Sequence, residues 1–261
     1  MKAERLLFTI TPGRSGTMLL ANMCVLLPGV AAEHEPKPLF SDIFFKLRRE
    51  PQIVYPFLKV KRKWIDRICA EEEATTYIET CHLACKGFFE PMLGMGWKFE
   101  AIILKRPLRD VATSLYRIGD VPTQTRTGRK YYLHPENPNN RVDITGYWKK
   151  LSAYQLCYWY CLEMERRSEY YRVWLPKQGV KVHEVGLEEL GTMEGFKAFL
   201  SRVHLPEPPA LKQKLFDMVT VIQWNYKATR KRCGPGTPVD PAAQEAELTE
   251  LILRGENKCH K

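Results

Sequence analysis

Residues 6–20, LLFTITPGRSGTMLL, limit the folds open to this chain more than any other stretch. An apolar, β-prone run ends in a glycine-bearing turn, and an apolar helix-like segment begins at once. Strand, turn and helix start, in that order, form a backbone cradle for an anion, because the free N–H groups of the new helix terminus face the turn. Gly13 and Gly16 let the turn close tightly, Arg14 adds a forked cation, and Thr17 can cap the helix or meet a phosphate oxygen. No lysine follows Gly16, so the turn departs from the nucleotide loop that ends in Gly-Lys-Ser/Thr. A basic loop of this kind is expected to hold a phosphate-bearing donor used without Mg²⁺. The plainer alternative is a simple strand–turn–helix connection.

Further along, residues 75–80 (TTYIET), 99–104 (FEAIIL) and 180–185 read as buried strands, with long helical stretches between them, notably 147–174. Residues 17–32 read as a buried helix, too short and too interrupted by Asn22 and Pro28 to span a bilayer. This alternation predicts an α/β protein with a central parallel sheet and helices on both faces. At 261 residues, one domain over 1–261 is expected.

The net charge of +10 favours polyanionic ligands without choosing among nucleotides, sulfated groups, nucleic acid and acidic membranes. Eight cysteines are scattered without a CxxC pair, which argues for free thiols and against a zinc site. Met1-Lys2-Ala3-Glu4 runs straight into the first apolar run with no leader-like segment, so a cytoplasmic location is expected. Residues 59–63 (KVKRK) read first as a solvated helix face and second as a polyanion patch.

In parallel sheets, ligands sit beyond the carboxyl ends of the strands. Glu79, Cys81 and His82 follow one predicted strand, and the segment RPLRDVATSLYR follows another. There, Arg106 stands at the strand exit, Pro107 fits a first helical turn, and Ser114 falls two turns on. An Arg fork and a hydroxyl so spaced can converge on one phosphate.

These segments resemble the sulfotransferases that use 3′-phosphoadenosine-5′-phosphosulfate (PAPS). TPGRSGTM looks like that family's 5′-phosphosulfate loop, and Arg106, Asp110 and Ser114 keep the spacing of its 3′-phosphate motif, about ninety residues later. The resemblance covers residues 5–120 best. It implies a single P-loop-like sulfotransferase fold, with PAPS-binding elements at 5–30, 75–118 and 224–238 and acceptor elements at 33–70 and 119–146. Pro12, Gly13, Ser15, Gly16, Thr17 and Met18 would line the 5′-phosphate. Arg14 would stabilise charge growing on the bridging oxygen. Arg106 and Ser114 would hold the 3′-phosphate, and Lys227, Arg230, Lys231 and Arg232 would close over the nucleotide. Met18 departs from the family's usual threonine, which removes a hydroxyl contact. PAP is the implied product, the acceptor is a small molecule or carbohydrate, and neither metal, nucleic acid nor membrane is called for.

A base must take the acceptor's proton. His82 resembles the histidine of the small-molecule enzymes, and Glu79 resembles the glutamate of the glycosaminoglycan-type enzymes. Glu79 could equally orient His82 or pair with Arg14. Two other classes compete. A P-loop kinase or NTPase needs a loop lysine and a Mg²⁺ ligand. A nucleic-acid-binding protein needs a basic motif with interleaved aromatics.

Overall fold

A computed structural model describes residues 2–216, 218 and 236–259; the basic segment with Lys227, Arg230, Lys231 and Arg232 lies outside the described residues. The chain divides into two compact units, Met1–Arg106 with Arg172–Arg230, and Pro107–Tyr171 with Lys231–Lys261. The architecture is α/β.

The first unit carries a five-stranded, all-parallel sheet of β1 (Arg5–Ile10), β2 (Val30–Glu33), β3 (Thr76–Glu79), β4 (Glu100–Lys105) and β5 (Val182–Gly186), in the order β2-β3-β1-β4-β5. Helices α1 (Thr17–Cys24), α2 (Ser41–Phe44), α3 (Val54–Glu71) and α4 (Phe89–Gly94) alternate with the first four strands. Alternate side chains of a strand point to opposite faces, and both faces here are apolar. Leu7 joins a buried cluster with Leu19, Leu20 and Met23 of α1 and with Phe196 and Phe199 further on. Its neighbour Phe8 packs edge-on against Phe89 of α4 and against Phe99. Burying a Leu or Phe side chain contributes roughly 1.5–3 kcal/mol, so these two layers fasten helices to the sheet.

Residues 17–32, read as one helix, are α1 followed by a turn and then β2. Pro28 cannot continue the helix, and Gly29 supplies the positive φ of 68° that reverses the chain. The other predicted strands stand within two residues of their expected bounds. The long aromatic helix starts later than its composition suggested, at Ala153, after a 3-10 turn over Trp148–Lys150.

The second unit holds α5 (Leu108–Ile118), α6 (Arg126–Tyr131), most of α7 (Ala153–Lys177) and, after α8 (Leu187–Leu190) and α9 (Met193–Arg202) of the first unit, α10 (Pro241–Cys259). Residues 119–146, expected to form a substrate loop, are pinned by polar contacts. The buried Glu163 carboxylate accepts from the Arg141 and Val142 N–H groups at 2.6 and 2.9 Å, and Trp159 Nε1 donates to Val142 O at 3.0 Å. Arg129 donates to the carbonyls of Thr123 and Gln124. Arg109 of α5 and Tyr154 of α7 both donate to Glu245 of α10, the tyrosine at 2.6 Å. Among the described residues, no helix is long and apolar enough to cross a membrane.

Candidate functional site

The chain leaves β1 toward β2 on one side of the sheet and leaves β4 toward β5 on the other. The crevice between such diverging connections, at the carboxyl ends of the strands, is the usual ligand position in an open parallel sheet. The glycine loop occupies it. Gly13, Arg14 and Gly16 all take positive φ, at 83°, 59° and 96°. For Arg14 this is a strained backbone, which persists only where its surroundings over-determine it. They do so here. Gly13 N–H donates to Thr11 Oγ1 at 3.4 Å, the buried Ser15 hydroxyl donates to Gly13 O at 3.1 Å, and Arg106 Nη1 donates to Arg14 O at 2.8 Å.

Gly16, in the left-handed conformation, is the N-cap of α1 and makes no side-chain cap. Thr17, expected as a possible cap, is therefore the first helical residue. The first N–H to bond back within the helix is that of Leu20, to Gly16 O at 2.9 Å. The N–H groups of Thr17, Met18 and Leu19 precede it and have no intrahelical acceptor by construction, which is the property an anion requires. Pro12 is half-buried beside them, and Met18 is exposed.

His82 lies against this loop. A Cβ at Gly13 would stand 3.2 Å from His82 Cγ and 3.3 Å from Nδ1, so residue 13 needs glycine for space as well as for φ. Sheet pairing causes the approach. Phe8 is opposite Glu79 in the β1–β3 ladder, and Thr9 Oγ1 donates to Cys81 O at 3.1 Å just beyond it. The ring nitrogens of His82 are both addressed. Lys86 Nζ is 2.9 Å from Nδ1, and Glu35 Oε1 is 3.4 Å from Nε2. An ammonium only donates, so Nδ1 is the acceptor and the ring hydrogen sits on Nε2, facing Glu35.

Burial, then the charges of Lys86, His34 and Arg14, hold the His82 imidazole well below its ordinary value near 6.5. A histidine whose folded value is depressed binds fewer protons folded than unfolded. The stability this gives is present above pH 6.5 and is lost as pH falls below it. The melting temperature of the wild type should drop as pH goes from 6.5 to 5, and His82→Gln should flatten that slope. Equal slopes for the two proteins would count against a buried neutral His82.

Glu35 was not singled out from sequence. It follows β2 in the run Glu33-His34-Glu35, has φ of 50° and keeps 31% of its side chain exposed, whereas Glu79 is fully buried. The only hint in the sequence is a carboxylate just before Pro36, where a loop must turn. Glu79, expected as the alternative base or as a partner of His82 or Arg14, is held by other groups. Its Oε2 is 2.9 Å from Lys61 Nζ, with both side chains fully buried, and 3.1 Å from Tyr77 OH. Its Oε1 is buried without a partner. Burial pushes its carboxyl up to about 7, against the opposing pull of Lys61 and Tyr77. Lys61 also corrects the reading of residues 59–63: Lys59 and Lys63 are exposed, but Lys61 belongs to the buried stripe Val54, Leu58, Lys61, Ile65, Cys69 of α3.

Arg106 closes the first unit, bonded to the loop. Ser114 and Asp110 lie on α5 in the second unit, Ser114 half-buried and Asp110 exposed. Among the described residues, no group of three or more His, Cys, Asp or Glu side chains is placed to hold a metal ion. Among the described residues, the thiols of Cys24, Cys69, Cys81, Cys85, Cys157 and Cys161 are buried and form no disulfide.

The first unit is thus a parallel α/β layer with a braced glycine loop, an imidazole and a carboxylate at the carboxyl ends of three adjacent strands. No family profile matches this chain, and no curated protein matches it at a significant level.

Proposed function

We propose that this chain is a sulfotransferase that moves a sulfuryl group from PAPS to a hydroxyl or amine of a small molecule or carbohydrate. The observation that carries the reading is the convergence of the braced loop of residues 11–16 with His82 and Glu35. An anion cradle and a proton acceptor side by side are what in-line transfer from a phosphosulfate needs. The acceptor atom attacks sulfur, the bond from sulfur to the bridging oxygen breaks, and PAP departs with the electron pair. Backbone N–H groups of residues 16–19 hold the 5′-phosphate, and the Arg14 guanidinium takes up the charge growing on the bridging oxygen. The acceptor's proton passes to the Glu35–His82 pair. Glu35 is its solvent-reaching member, and the Nε2–H of His82 orients it.

In this reading Arg106 meets the 3′-phosphate from the strand exit beside the loop. PAP is expected to bind much more tightly than AMP by calorimetry, and Arg106→Ala to weaken PAP about ten- to a hundredfold. That range corresponds to the roughly 1.5–3 kcal/mol of a charge-assisted hydrogen bond. Equal wild-type affinity for PAP and AMP would sink the assignment.

A further inference from the structure

We propose that Lys61 is a positioning residue that fastens the segment 34–38 to the sheet and thereby sets where Glu35 stands against His82. Its fully buried ammonium has three hydrogens, and each has a partner: Pro36 O at 3.1 Å, Pro38 O at 3.1 Å and Glu79 Oε2 at 2.9 Å. The ring of Phe40 lies 5.0 Å below it. One side chain on α3 thus ties a loop to the last residue of β3.

The segment needs such a handle. Pro36 and Pro38 have no N–H with which to bind themselves to the protein, so their carbonyls are the groups left to grip. Glu35, immediately before, sits at φ 50°, and a residue preceding proline is already restricted in the conformations it can take. Such a backbone persists only if it is held from outside. Lys61 holds it one and three residues downstream. On the upstream side, His34 Nδ1 lies 2.8 Å from Thr80 O.

The function of Glu35 rests on the transfer reading; the tether does not, and the experiment separates them. Lys61→Met alone strands the Glu79 carboxylate, so the test uses the double variant Lys61→Met/Glu79→Gln, which removes both charges. Hydrogen exchange should be at least tenfold faster at the amides of His34, Glu35 and Lys37. The His82 ring, followed by nuclear magnetic resonance, should titrate nearer 6.5 as water reaches it and as the groups that face it (Lys86, His34, Arg14 and Glu35) rearrange. PAP affinity should stay within about threefold of wild type. A folded double variant with wild-type exchange and wild-type His82 titration overturns the tether. In the unaltered protein, the Lys61 ammonium should exchange its hydrogens slowly and give through-hydrogen-bond couplings to the Pro36 and Pro38 carbonyl carbons. Absence of those couplings overturns the proposal even where the double variant does not fold. Failure of wild-type protein to bind PAP would instead remove the transfer reading and leave these measurements standing.

Discussion

Glu35→Gln is expected to cut sulfuryl transfer by roughly 10²–10⁴-fold, the usual effect of removing a proton acceptor from a transition state. The side chain is nearly isosteric, so an amide oxygen can keep the 3.4 Å contact with His82 Nε2 while basicity is lost. PAP binding should change little, because the loop of residues 11–16 is braced by Thr11, Ser15 and Arg106. The measurement is transfer of labelled sulfate from PAPS, first across a panel of hydroxyl and amine acceptors to find a substrate and then with each variant. Glu79→Gln supplies the contrast. A null Glu79→Gln beside an active Glu35→Gln would return the proton to the strand glutamate and reject the Glu35–His82 pair.

Lys61→Met should destabilise the protein by about 3–5 kcal/mol, the range for breaking a buried ion pair from one side. The loss should grow as pH rises. With its cation gone, Glu79 is expected to be most comfortable protonated, and a carboxyl whose folded value is raised binds more protons folded than unfolded. Stability then falls as pH climbs from the ordinary 4.5 through the folded value, already about 7 with Lys61 present. Denaturant melts at pH 5 and pH 8 read this directly. Adding Glu79→Gln should recover most of the loss at pH 8 and little at pH 5. A Lys61→Met cost that is the same at both pH values would argue that Glu79 is already protonated beside Lys61 in the wild type and that the pair is not an ion pair.

The strand–glycine loop–helix unit, the three later strands and the position of His82 at a strand exit were legible in the sequence because each rests on local chemistry. An apolar run of period two, a glycine with positive φ and a proline at a helix start leave marks within a few residues. β2 was not legible. It is four residues long, and VAAE after Pro28-Gly29 reads as the tail of the preceding helix. Lys61 hid inside KVKRK, where composition suggests solvent. Only the helical phase of Val54, Leu58, Ile65 and Cys69 places it on the inner stripe, and its partner is on a strand eighteen residues away. Glu79 stands out in the sequence as a candidate base at a strand end, but its partners Lys61 and Tyr77 do not, since nothing local announces them. Glu35 carries no motif at all; it becomes conspicuous only when three strand ends are set side by side.

Arg14 and Glu35, the cation and the carboxylate assigned to the reaction, are both displayed from left-handed backbone. Glycine would relax either position and would also delete the side chain that the proposed transfer uses. Under that proposal durability and reactivity are rivals at these two points, and a lineage improved for heat resistance alone would drift toward a sturdier protein with an empty workbench.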